Sequence, residues 1–100
     1  MVLGKIVGTV VSTQKDEKLE GLKFYVVKEI DLSLQFTGKH VIAVDTVGAG
    51  EDEIVLYASG SSARQTSHTE GKPVDATIMG IVDNINVEGK TVYSKAGIGR

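Results

Sequence analysis

Hydrophobic and polar positions alternate along several short stretches of this chain, and none carries the pattern of a long helix. In residues 3–13, Ile6, Gly8 and Val10 alternate with Lys5, Val7, Thr9 and Val11. The stretch is rich in β-branched residues and neither face is strongly polar. It predicts a strand covered on both sides, by the core and by a neighbouring subunit. Gly4 and Gly8 predict bends or bulges of the kind that curl a sheet toward a barrel. Residues 23–30 predict a second strand, with Phe24, Val26 and Ile30 on one face and Tyr25, Val27 and Glu29 on the other. In residues 31–38, Leu32, Leu34 and Phe36 recur every second position but are interrupted by Ser33 and Gly38, so the segment reads as an extended loop or as continuing strand. Residues 40–44 and 54–58 predict a third and a fourth strand. The unbroken apolar character of the fourth predicts deep burial, or burial against a partner chain.

Between and after these lie the punctuating segments. Residues 14–21 mix charges and end in Gly21, which reads as a solvated loop. Ser61 or Ser62 is placed to cap a short helix through Ala63, Arg64, Gln65 and Thr66, which Gly71 and Pro73 end. Residues 76–82 predict a fifth strand. Residues 84–87 and 91–93 flank Glu88-Gly89-Lys90 and predict a hairpin. The last residues, Gly97-Ile98-Gly99-Arg100, are expected to fray or to dock on a neighbour. An all-β chain with five core strands, one short helix and a terminal hairpin fits a small closed or partly closed barrel, and periodicity alone does not separate that from a small sandwich.

Composition narrows this further. One hundred residues make one domain, with roughly 60 to 65% of the unfolded surface buried, so the core is expected to be thin. There is no cysteine, which removes disulfides and thiolate chemistry and leaves stability to the core and to oligomerisation. The net charge of −2 lacks the basic excess of an electrostatic nucleic-acid binder. No apolar stretch approaches the roughly 20 residues that cross a bilayer, and the first residues do not read as a signal peptide, so a cytosolic protein is expected.

Candidate chemistry is sparse. Ser61, Ser62, His68 and Asp75 supply the residue types of a nucleophilic triad, but the serines do not sit on a G-x-S-x-G elbow, and no enzyme activity is expected. His40 and His68 lack metal-ligand spacing, and Glu51, Asp52 and Glu53 read as a solvated acidic rim rather than a cation loop, so no metal or cofactor is expected. Gly48-Ala49-Gly50 is followed by a strand rather than a helix, which argues against a phosphate cradle. Phe24, Tyr25, Phe36, Tyr57 and Tyr93 are scattered, which weakens a single-strand or oligosaccharide-binding module but keeps it as the alternative.

Residues 45–64, DTVGAGEDEIVLYASGSSAR, place two small-residue turns on either side of an apolar strand. Together with Gly8-Thr9-Val10-Val11, the later PVDA at residues 73–76 and Gly80-Ile81-Val82-Asp83, this order resembles the pentameric shell-vertex proteins of bacterial microcompartments, the EutN/CcmL family. The resemblance covers nearly the whole chain. It implies an OB-like barrel over residues 1–83 with a C-terminal hairpin and tail over residues 84–100. It further implies cyclic homopentamers that cap the vertices of a carboxysome or metabolosome shell in the bacterial cytoplasm, meeting hexameric shell proteins and neither nucleic acid nor membrane. Gly48, Ala49, Gly50 and Glu51 would face the narrow centre of the ring. Ser61, Ser62, Ala63 and Arg64 would lie next to that centre or at the seam between subunits, together with Ile54 and Leu56.

Overall fold

The computed structural model describes residues 1–13 and 15–96; the expectation for residues 97–100 falls outside that range. Seven strands form among the described residues: β1 Val2–Val10, β2 Phe24–Ile30, β3 Phe36–Asp45, β4 Ile54–Ser59, β5 Ala76–Ile81, β6 Asn84–Val87 and β7 Lys90–Ser94. The first five close into a barrel in the order β1-β2-β3-β5-β4, with β4 returning to β1, while β6 and β7 form a separate two-stranded ribbon. All barrel pairings are antiparallel except β3 with β5.

Both glycines of β1 act on its curvature. The β1–β2 register shifts between Ile6 and Gly8, a bulge that bends the strand around the barrel. At Gly4 a Cβ would stand 2.5 Å from Val27 Cγ1 and 2.9 Å from Tyr57 Cε1, so only glycine lets these strands come this close. The core inside is small, built on Ile6, Tyr25, Val27, Ala43, Ala49, Val55, Tyr57, Ala76 and Ile78. In β4, Ile54, Val55, Tyr57 and Ala58 are all buried within the chain itself, which accounts for its apolar run.

Several local expectations shift. The undecided stretch 31–38 divides into a turn and the start of β3, because Asp31 accepts the Ser33 and Gln35 amides on Oδ1 and the Leu34 amide on its carbonyl, folding the chain back at once. Leu34 takes φ +64° to complete that turn. The charged loop contains a 3-10 turn, Glu17–Leu19, whose Lys18 amide donates to Asp16 Oδ1 at 2.8 Å. In the terminal ribbon Lys90 belongs to β7, and the connection is Glu88-Gly89, both at positive φ as a two-residue hairpin turn requires.

Candidate functional site: the two turns flanking β4

β3 ends at Asp45, and its carboxylate shapes the turn after it. Oδ1 accepts the Val47 amide at 3.1 Å and Oδ2 the Ala49 amide at 3.0 Å. The chain bends tightly through Gly48 at φ +77°, a conformation that side chains disfavour. Ala49 enters the core, and its carbonyl accepts the Tyr25 hydroxyl at 2.9 Å in a buried bond. Thr46 adds a bond from its hydroxyl to the Ile78 carbonyl at 2.8 Å.

Glu53 closes the turn from the other side. Its Oε1 accepts the Gly50 amide at 2.7 Å, while its own amide donates to the Gly50 carbonyl at 3.3 Å. Two further backbone bonds fasten the segment to β1: Ile6 donates to the Glu53 carbonyl at 3.0 Å, and Asp52 donates to the Ile6 carbonyl at 2.9 Å. Lys95, just past β7, pairs with Glu53 Oε2. The Lys95 ammonium first, and the Gly50 amide second, hold the Glu53 carboxyl below its usual range, and Glu53 holds the Lys95 ammonium above its own. The acidic rim therefore divides: Glu51 and Asp52 are exposed, whereas Glu53 is a clasp joining turn, barrel and ribbon. Its only local signal in the sequence is the three-residue spacing from Gly50.

The second turn is a 3-10 segment, Gly60–Arg64. Neither Ser61 nor Ser62 caps it, because both lie inside it; Ser59 holds the N-cap position without a side-chain bond. Its anchors come from elsewhere. The Gly60 amide donates to the Asp75 carbonyl at 2.9 Å, the Thr77 hydroxyl to the buried Ala63 carbonyl at 2.6 Å, and Arg64 Nη1 to the Val74 carbonyl at 2.9 Å. Ser61 and Ser62 remain exposed. Since β4 separates the two turns, they lie on the order of 20 Å apart and do not meet within one copy. Ile54 is buried in its own barrel, and Leu56 is half-buried opposite Leu3.

The remaining candidates are dispersed. His68 Nδ1 lies 3.5 Å from Ser67 Oγ, on an exposed surface. Among the described residues no three acidic or histidine side chains converge as a metal site. Tyr25 and Tyr57 are in the core, where burial pushes the Tyr57 hydroxyl pKa up, and Phe36 lies beneath Lys28 Nζ at 5.1 Å from the ring centre. Tyr25 and Tyr57, turned into the core, are not available to stack an exposed ligand.

The closed barrel, with its glycine and serine turns fastened by side chains and backbone from elsewhere in the fold, is a small OB-like domain. The chain belongs to the EutN/CcmL family, whose profile, described as "Ethanolamine utilisation protein EutN/carboxysome", matches residues 1–83. It is 44% identical over 95 residues to the carboxysome shell vertex protein CcmL of Gloeobacter violaceus, covering 95% of each chain. The solved structure of that protein superposes with a TM-score of 0.91, covering 96% of this chain and 99% of that one. The solved GrpN pentameric microcompartment shell protein from Rhodospirillum rubrum is 46% identical with a TM-score of 0.76, covering 87% of this chain and 98% of its own. The shell vertex protein EutN of Salmonella typhimurium is 40% identical over 95 residues, covering 95% of this chain and 96% of its own length.

Proposed function

We propose that this chain is a vertex protein of a bacterial microcompartment shell. Five copies close into a ring that sits at the corners of a polyhedral shell and supplies the curvature that flat six-fold tiling lacks. The observation that carries this reading is the near full-length likeness to shell vertex proteins, at 44% identity and a TM-score of 0.91 for CcmL. The partners are four further copies of the chain and, at the rim, hexameric shell proteins in the bacterial cytoplasm. Reactions belong to the enclosed enzymes.

Such a ring is head-to-tail: each subunit offers two unlike surfaces, and the rotation between neighbours fixes the number of copies. Gly48, Gly50 and Glu51 face its narrow centre in this reading, while Ala49 anchors the turn in the core; Asp45, Tyr25 and Glu53 hold it rigid. The exposed Ser61, Ser62 and Arg64, with Ala63 buried behind them, lie at the seam. Leu56 lies near that seam, while Ile54 supports it from inside its own barrel.

Native mass spectrometry of the purified chain tests the ring, with a five-chain species expected. Only single chains at every concentration would overturn it. Co-expression with hexameric shell proteins tests the corner role: shells close with the chain present and remain open or elongated without it.

A further inference from the structure

Two strands of the closed barrel outrun their partners. On the side away from β2, β1 pairs with β4 only from Val2 through Lys5, then makes the two backbone bonds of Ile6. Residues 7–10 have no strand beside them there among the described residues. Val10 is the last residue in register with β2, and beyond it Val11 is 87% exposed, more than any other large hydrophobic residue described.

β3 has the complementary gap. It meets β5 only at Val44 and Asp45, so residues 36–43 have β2 on one side and no described strand on the other. Gly38 at φ +96° and a register slip between Lys28 and Ile30 disturb the start of this edge, leaving residues 39–43 as its regular part. Two clefts, of about 440 and 560 Å³, border the edge and share His40, Val41 and Ser59. Tyr57 and Ala76 from the core line one cleft each.

These two segments cannot satisfy each other within one chain. β2 lies between β1 and β3. The register sets Gly8 and Thr9 of β1 against Val26 and Tyr25, and Ile42 and Ala43 of β3 against the same two residues from the other side, so the two bare edges face away from each other across β2.

We propose that residues 7–11 of one copy add as a strand to the bare edge of β3 in the next copy, with Val11 entering the cleft beside Val41. The inference rests on the ring reading above and names a contact that closes the ring. Residues 7–11 match residues 39–43 in length. Strand addition pairs main-chain groups that the monomer leaves open, and it removes Val11 from water. Unlike edges facing away from each other on either side of β2 also give a head-to-tail contact, as a five-membered ring needs.

The chain has no cysteine, so introduced thiols report the contact without background. Val11→Cys is combined in turn with Lys39→Cys, His40→Cys and Ile42→Cys in the full chain. Mild oxidation is expected to give at least one double variant a covalent ladder that stops at five chains, which neither single variant forms. Where a double variant fails to fold, Val11→Asp decides: ring affinity should fall at least about tenfold while the unfolding of the single chain is unchanged, because Val11 packs on none of its own core. Pentamers by native mass that show no ladder in any folded pairing, or no weakening with Val11→Asp where no pairing folds, overturn this contact and leave the ring standing. Single chains alone would overturn the ring and the contact with it.

Discussion

The Tyr25 hydroxyl reaches the Ala49 carbonyl across 24 residues, and no periodicity in the chain announces that bond. Tyr25→Phe keeps the ring in the core but leaves the buried carbonyl unpaired. The expected cost is about 1–3 kcal/mol in urea unfolding. Glu53 is the second such residue. Its folded-state pKa is depressed, so its contribution is complete above the unfolded carboxyl value and is lost as pH falls through the lower folded one. The Gly50 amide resonance should follow that titration on acidification, and Glu53→Gln should abolish the response. The glycines of the turn also separate. Gly48 at φ +77° resists any side chain whatever surrounds it, whereas a Cβ at Gly50 meets only Glu53 Oε1, at 3.7 Å. Gly50→Ala should therefore leave the unfolding of the single chain nearly unchanged, so a weakened pentamer in native mass spectra would report crowding by neighbouring copies at the ring centre, and an unchanged one would remove the turn from that position.

At the scale of elements, strands were legible wherever one face was consistently buried. β2 alternates from Phe24 to Lys28 with Tyr25 and Val27 in the core, but the register slip after Lys28 buries Ile30 on their side rather than with Phe24 and Val26, where the pattern grouped it. The ribbon β6–β7 was legible because Glu88-Gly89 carries the turn itself. β3 was underestimated: residues 36–40 are exposed, so no apolar alternation marks them, and what makes them a strand is their pairing with the end of β2. The short helix was misplaced because the capping rule looks for a serine hydroxyl, while this turn is fastened by Thr77, Asp75 and Val74 from later in the chain. Gly4 gives the clearest test of an element. Gly4→Ala must push β1 away from Val27, Tyr57 and the Lys28 carbonyl, and should lower stability by about 1–3 kcal/mol in thermal or denaturant unfolding.

For the whole molecule, the ribbon stands apart from the barrel. None of its residues is buried, and it overhangs a cleft of about 740 Å³ bordered by Ile30, Leu34, Ile54 and Tyr93. Its ties among the described residues include the Glu53–Lys95 pair, the Val82 amide on the Ile54 carbonyl and the Lys95 amide on the Asp83 carbonyl. The family profile ends at residue 83, where the barrel gives way to this ribbon. A chain ending after Asp83 should still unfold cooperatively and still form five-chain rings; loss of the ring with the barrel intact would show that the ribbon takes part in the contact between copies. The all-β class was readable from strand number and turn chemistry, but the pattern alone did not separate a barrel from a sandwich, since closure depends on β5 reaching both β3 and β4. The uneven reach of β1 and β3 also has a bearing on life before assembly. A newly made copy carries two mismatched sticky ends, and until they are covered they are templates for indiscriminate stacking into fibres. Variants that prevent ring closure should therefore favour insoluble material over soluble single copies as their concentration is raised.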